Sequence, residues 1–276
     1  MTPPSVGTHN LTVSVPRIAK SPLSLLGLQK RKRDRELLTD VNFSAEAGQV
    51  TALIGPSGSG KSTLLSVFNR LADTLDGLKV TGRVLIGDDD IMNPRIDLCK
   101  LRRRVSMVFQ RPTPFPLSIR QNLSLPYKEC CPGASRAEID AAIADRLQRV
   151  GLWQEVKNRL DDPALRLSGG QQQRLCFARS LMVEPDVLLL DEPCSALDPV
   201  STLAVETVIR SLRSKVTILL VTHNVSQAQR LADQIFVLAA IEENNGSLSG
   251  RLIESGPASQ VLTRPQHPFT KMYLDL

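Results

Sequence analysis

Val50-Thr51-Ala52-Leu53-Ile54 runs into Gly55-Pro56-Ser57-Gly58-Ser59-Gly60-Lys61-Ser62-Thr63, and Leu64, Leu65, Val67 and Phe68 follow. An apolar run, a glycine-rich turn and a second apolar stretch in that order predict strand, loop and helix. The glycines permit a tight loop whose backbone N–H groups point inward at phosphate oxygens, and the helix behind it adds the positive end of its dipole. Lys61 is then expected to reach the β- and γ-phosphates of a nucleotide, and the Ser62 hydroxyl to ligate Mg²⁺.

Two other stretches complete a phosphate chemistry. Val187-Leu188-Leu189-Leu190 reads as a buried strand and ends in Asp191-Glu192-Pro193, which places two carboxylates where a strand beside the phosphate loop emerges. Asp191 is expected to hold Mg²⁺, directly or through water, and Glu192 to polarise an attacking water. Ser168-Gly169-Gly170-Gln171 opens a predicted helix, so its free N–H groups and serine hydroxyl form a second phosphate-binding end. One chain rarely needs two such ends for one γ-phosphate. Two copies packed head to tail would use both, with one copy's loop and the other's helix sandwiching ATP.

Further from the loop, strands are expected at 37–43, 82–87, 105–109, 216–221, 235–238 and 251–254, with helices over 171–182, 200–212 and 226–232. This alternation predicts an α/β fold with a mostly parallel sheet. Ser135-Arg136-Ala137-Glu138 has the form of a capping box, with Ile139, Ala142, Ile143, Leu147 and Val150 at helical spacing behind it. A second short helix should contain Trp153, Val156 and Leu160, which makes 111–165 a small helical insert. Pro112, Pro114 and Pro116 make Arg111 to Leu117 a stiff extended segment. The expected division is an extended or disordered leader at 1–35, an ATP-binding core at 36–110 and 166–255, the helical insert at 111–165, and a tail at 256–276. Residues 239–250 read as a polar loop.

Composition narrows the class. The 276 residues are 42% apolar and 22% charged, ordinary for a soluble protein. The net charge is +6, and the densest basic run, Lys30-Arg31-Lys32-Arg33-Asp34-Arg35, has no interleaved aromatics for base stacking, so nucleic acid is not an expected partner. Five cysteines, at 99, 130, 131, 176 and 194, lack paired spacing for a zinc site or a disulfide framework. No stretch approaches the roughly 20 apolar residues of a membrane span, so any membrane role is expected to run through a partner.

Gly55 to Thr63, Gln110, Leu167 to Gln171, Leu190 to Glu192, Ser195-Ala196-Leu197-Asp198 and His223 match, in order and spacing, the motifs of ATP-binding-cassette (ABC) ATPases. The match covers about residues 36–255. The resemblance implies a RecA-like P-loop NTPase core with an inserted helical subdomain, ATP and Mg²⁺ as cofactors, and a homodimer closed on ATP. It implies that Gln110 links core and insert and joins the catalytic and metal-holding groups, that His223 touches the γ-phosphate, and that Ser195 to Asp198 pass information across the dimer. Within the superfamily the chain is similar to the ATP-binding subunits of bacterial phosphate importers, on Met107 to Ile119, Gln171 to Cys176 and Asp191 to Pro199. That implies two membrane permease subunits as partners, a periplasmic or extracellular phosphate-binding protein acting indirectly, and a peripheral place on the cytoplasmic face of the membrane. Import of another solute or export, soluble action on nucleic acid or ribosomes, and a regulatory partner that binds ATP without useful turnover are the rival readings. The sequence departs from the family where an adenine-stacking tyrosine usually stands: Arg31, Lys32 and Arg33 occupy that region.

Overall fold

All five residues of the strand that delivers the phosphate loop, Val50–Ile54, are buried. The computed structural model describes residues 2–16, 34–195, 197–243 and 246–275. The basic run from Lys30 to Arg33 lies outside the described residues, as does Ala196. In chain order the elements are β1 (Val6–Val15), β2 (Arg35–Ala45), β3 (Val50–Ile54), α1 (Lys61–Phe68), β4 (Lys79–Ile86), β5 (Asp89–Asp90), α2 (Leu98–Arg104), β6 (Val105–Val108), α3 (Ile119–Cys130) and α4 (Arg136–Arg149). They continue with α5 (Trp153–Val156), α6 (Gly169–Leu181), β7 (Val187–Asp191), α7 (Pro199–Leu212), β8 (Thr217–Val221), α8 (Val225–Leu231), β9 (Gln234–Glu242), β10 (Leu248–Pro257), α9 (Ala258–Val261) and α10 (Pro268–Leu274).

The strands form one sheet in the order β5-β4-β1-β2-β10-β9-β3-β8-β7-β6. The β9-β3-β8-β7-β6 half is parallel; β1, β2, β4 and β5 pair antiparallel, as do β9 and β10, and β10 meets β2 in parallel at the pair Gly250–Leu38. The sheet is therefore mixed rather than mostly parallel. Both faces of the parallel half are covered, which explains its unbroken apolar strands. Along β7, Val187 and Leu189 join the core under α1, with Leu64, Leu65 and Phe68, while Leu188 and Leu190 join the core that reaches Leu175 and Phe177 of α6 and Ile143 and Leu147 of the helical insert.

Two expectations about irregular chain are corrected. Residues 6–15 are not a leader: β1 lies between β2 and β4, with Val6, Leu11 and Val13 buried. Its prolines flank the strand, at 3, 4 and 16, where they interrupt no ladder bond. Residues 239–250 are mostly strand, because β9 runs on to Glu242 and β10 begins at Leu248.

The insert contains one helix beyond those expected. α3 starts on a capping box formed by Ser118 and Gln121 and carries Pro126 inside it, and that proline argues against a helix interior when read alone. α4 has the expected Ser135–Glu138 capping box. α5 stops at Val156, which leaves Leu160 beyond it. Residues 111–117 form neither helix nor strand. They are tied down at Phe115, whose N–H donates to Asn122 Oδ1 at 2.8 Å and whose carbonyl accepts from Asn122 Nδ2 at 3.1 Å. The Arg179 guanidinium sits 4.3 Å above the Phe115 ring.

Candidate active site

The phosphate loop is built around close approaches that only glycine tolerates. Gly55 has φ +142°, and a Cβ there would lie 2.0 Å from the Leu238 carbonyl oxygen of β9; at Gly60, φ +90°, it would lie 2.5 Å from Leu38. Held in this way, the loop folds over the buried side chain of Lys61. Its Nζ donates to the carbonyls of Gly55 at 2.8 Å and Pro56 at 2.7 Å, with Ser59 Oγ at 3.4 Å. Burial pushes the ammonium pKa down, opposed by the charges of Glu192 and Asp191.

Asp191 ends β7, and its register partner Val221 ends β8, so the carboxylate emerges level with the loop. Ser62 Oγ donates to Asp191 Oδ1 at 2.9 Å. Burial pushes this carboxyl pKa up, with a further rise from Glu192, against the Ser62 bond and the Lys61 charge. Two hard oxygens about 2.9 Å apart have the separation of neighbouring ligands in an octahedral shell at roughly 2.0–2.1 Å. The pair therefore fits Mg²⁺, which takes one or two protein oxygens and draws the rest from phosphate and water. Among the described residues no group of three His, Cys, Asp or Glu side chains could hold a metal by itself.

Glu192 departs from strand geometry. Its φ is +46°, uncommon for a residue with a side chain, and Pro193 follows it. Its N–H donates to the Val221 carbonyl at 2.9 Å, which fixes the backbone while the side chain turns into the cleft. There Gln110 Nε2 donates to Oε2 at 2.8 Å, and His223 Nδ1 lies 3.1 Å from Oε1. Gln110 is held from behind: Gln173 Nε2 of α6 donates to the carbonyl of the preceding residue, Phe109, at 3.0 Å.

Gly55, Pro56, Ser57, Gly58, Gly60, Lys61, Ser62, Thr63, Gln110, Glu192 and His223 all border one cleft of about 700 Å³. Ser59 is buried behind it, and Asp191 reaches it through Ser62. Ser168, Gly169, Gly170 and Gln171 do not line the cleft. They open α6 elsewhere: Ser168 Oγ accepts from Gln171 N at 3.3 Å, Gln171 Oε1 accepts from Ser168 N at 3.0 Å, and Gln171 Nε2 donates to Glu155 at 2.7 Å. Four further residues, Arg35, Leu37, Leu248 and Tyr273, also line the cleft. Leu248 falls in the stretch read as a loop. Tyr273 donates to Gly55 O across 218 positions of sequence, and no local pattern signals that contact.

This arrangement can cradle a triphosphate on backbone amides and Lys61, and it places one carboxylate where it can take a proton from water. The chain matches the ABC transporter family over residues 38–195. It is 48% identical over 240 residues to the phosphate import ATP-binding protein PstB 3 of Synechocystis sp., covering 87% of each chain. It superposes on the ATP-bound structure of a bacterial Atm1-family ABC exporter with a TM-score of 0.72 and 29% identity, over its whole length but only 42% of the exporter chain. The dimeric ATP-binding cassette MJ0796, in a post-hydrolysis state bound to ADP and Pi, gives a TM-score of 0.72 and 26% identity over 92% of this chain and 98% of that one. The chain thus has the α/β P-loop NTPase fold of ABC nucleotide-binding domains, and it belongs to the ABC transporter family.

Proposed function

We propose that this chain is the ATP-hydrolysing subunit that powers import of inorganic phosphate through a membrane permease complex, working as a homodimer on the cytoplasmic face of the membrane. The observation that carries the hydrolytic part is the Glu192 carboxylate, held between Gln110 and His223 beside the phosphate loop. The 48% identity to a phosphate import ATP-binding protein supports the solute.

In this reading the loop amides from Gly58 to Thr63 and the Lys61 ammonium hold the β- and γ-phosphates. Ser62 and Asp191, with Gln110 nearby, would hold Mg²⁺, which would supply charge neutralisation of the phosphates. Glu192 accepts the proton of the attacking water, Gln110 and His223 keep its two oxygens aimed, and His223 reaches toward the γ-phosphate. Ser168 to Gln171 of a second copy close the site from outside, which accounts for their distance from the cleft of their own chain. A largely apolar groove of about 560 Å³ lies between core and insert, with Leu71, Phe109, Phe115 and Pro126 on its walls, and it is the seat assigned to the permease. Movement of Gln110 would reach that groove through adjoining Phe109 and the anchored Phe115. Among the described residues no helix is long and apolar enough to cross a membrane, which fits a subunit that drives a separate permease.

The test is a pull-down from detergent-solubilised membranes using the Glu192→Gln protein with Mg-ATP, followed by identification of the co-purifying chains and by phosphate uptake in cells lacking the protein. Recovery of a phosphate permease pair and loss of uptake are expected. Recovery of a permease for another solute would overturn phosphate and leave the ATPase; recovery of ribosomal or DNA-bound partners alone would overturn transport.

A further inference from the structure

Both carbonyls that hold the Lys61 ammonium have a second, longer donor. Gly55 O takes Lys61 Nζ at 2.8 Å and the Tyr273 hydroxyl at 3.3 Å; Pro56 O takes Lys61 Nζ at 2.7 Å and the Ser59 N–H at 3.3 Å. A carbonyl oxygen has two acceptor sites, and the charged donor takes the shorter bond. Gly55 is buried, so its carbonyl has little access to water if a donor leaves. For Lys61 to turn its ammonium to a phosphate, it has to release both carbonyls.

We infer that the Tyr273 hydroxyl is a reserve donor that keeps the Gly55 carbonyl hydrogen-bonded when Lys61 moves to a nucleotide phosphate, which makes α10 a working part of the nucleotide site. Pro56 needs no such help from afar, because Ser59 of the same loop serves it. Tyr273 is a positioning residue here, acting on the nucleotide through Lys61. Its ring is held in place: Phe269 stacks on it with centroids 6.3 Å apart and planes 8° from parallel. The start of α10 is anchored to β10, where the Glu254 carboxylate accepts from the N–H groups of Gln266 at 2.7 Å and His267 at 3.1 Å. Burial, with a smaller push from the Glu192 charge, raises the phenol pKa against the Gly55 bond, so the hydroxyl remains a donor.

The inference rests on the ATP-site reading, and Tyr273→Phe tests it because the ring packing is retained. Two quantities are measured: the Kd for Mg-ATP, and the thermal midpoint of the nucleotide-free protein. The variant is expected to bind Mg-ATP about two- to tenfold more weakly, the worth of one hydrogen bond. Its nucleotide-free midpoint should stay within about 1 °C of the unaltered protein, since Lys61 still fills the Gly55 carbonyl there. An unchanged Kd overturns the inference, as does a lowered nucleotide-free midpoint with no selective effect on binding, which marks an ordinary structural bond. Failure of the unaltered protein to bind Mg-ATP overturns both this inference and the ATP-site reading.

Discussion

Glu192 sits at a backbone conformation that costs on the order of 1–3 kcal/mol for a residue with a side chain, and the ladder bond from its N–H to Val221 holds it there. Glu192→Gln keeps the shape but turns one acceptor oxygen into a donor and removes the base. Turnover should fall by about 10²–10⁴-fold, the usual worth of general base catalysis, while equilibrium titration shows ATP still bound. Equal turnover would move the base elsewhere. Two residues on, Cys194 is packed against Gln227 near the buried Glu206, and burial pushes its thiol up to about 11. Since the thiolate is the reactive form, iodoacetamide at neutral pH should modify exposed Cys99 and Cys131 well before Cys194, as read by peptide mass spectrometry. Early labelling of Cys194 would show that this stretch opens.

At the level of elements, α7 and α8 are joined by a nearly dry carboxylate. Glu206 of α7 accepts from Arg230 of α8 at 3.0 and 2.6 Å, and Gln227 lies 3.4 Å away. The Glu206 side chain is 2% exposed and that of Arg230 44%, so water screens only one side of the pair. Burial raises the Glu206 pKa, but the bonds and charge of Arg230 outweigh it and leave it below the usual carboxylate range. A depressed folded-state value means this stabilisation is present above the usual carboxylate range and is lost as pH falls through the lowered value. Arg230→Met leaves the carboxylate with only the more distant Arg210, 4.0 Å away on α7. The expected cost is about 2–3 kcal/mol near neutral pH, at the low end for a broken buried pair because Arg230 is half in water, and it is measured as a shift in urea midpoint. The same variant should lose part of the wild-type acid dependence. α8 begins just after His223, so a parallel loss of turnover would show that this pair also aims the histidine. In the insert, Ser135→Ala removes the bond to Glu138 N at the start of α4 and should cost about 1 kcal/mol by the same measurement.

For the whole molecule, the separation of Ser168–Gln171 from the chain's own cleft makes nucleotide-dependent assembly the decisive property. With Mg-ATP, Glu192→Gln should move from monomer to dimer on size-exclusion chromatography with light scattering; with ADP it should remain monomeric, and a Ser168→Arg change should abolish the shift. A dimer that forms equally without nucleotide would contradict the sandwich. The phosphate loop, the Asp191–Glu192 pair and the helix opened by Ser168 were legible in the sequence because each is local: a turn that needs glycine, a buried strand with a charged end, a capping pattern. The same holds for β3, β7, β8 and the α/β alternation, whose apolar runs record burial on both faces. What only the tertiary structure decided depends on chain segments far apart in sequence. Val6–Val15 becomes an inner strand because β2 and β4 receive its hydrogen bonds, although the prolines around it suggest a loose end. Leu248 and Tyr273 reach the cleft only because β10 and α10 pack beside the phosphate loop. Short-range pattern encodes which residues are buried and where the chain turns; which distant groups share one carbonyl or one cleft follows from packing, and no periodicity in the sequence records it.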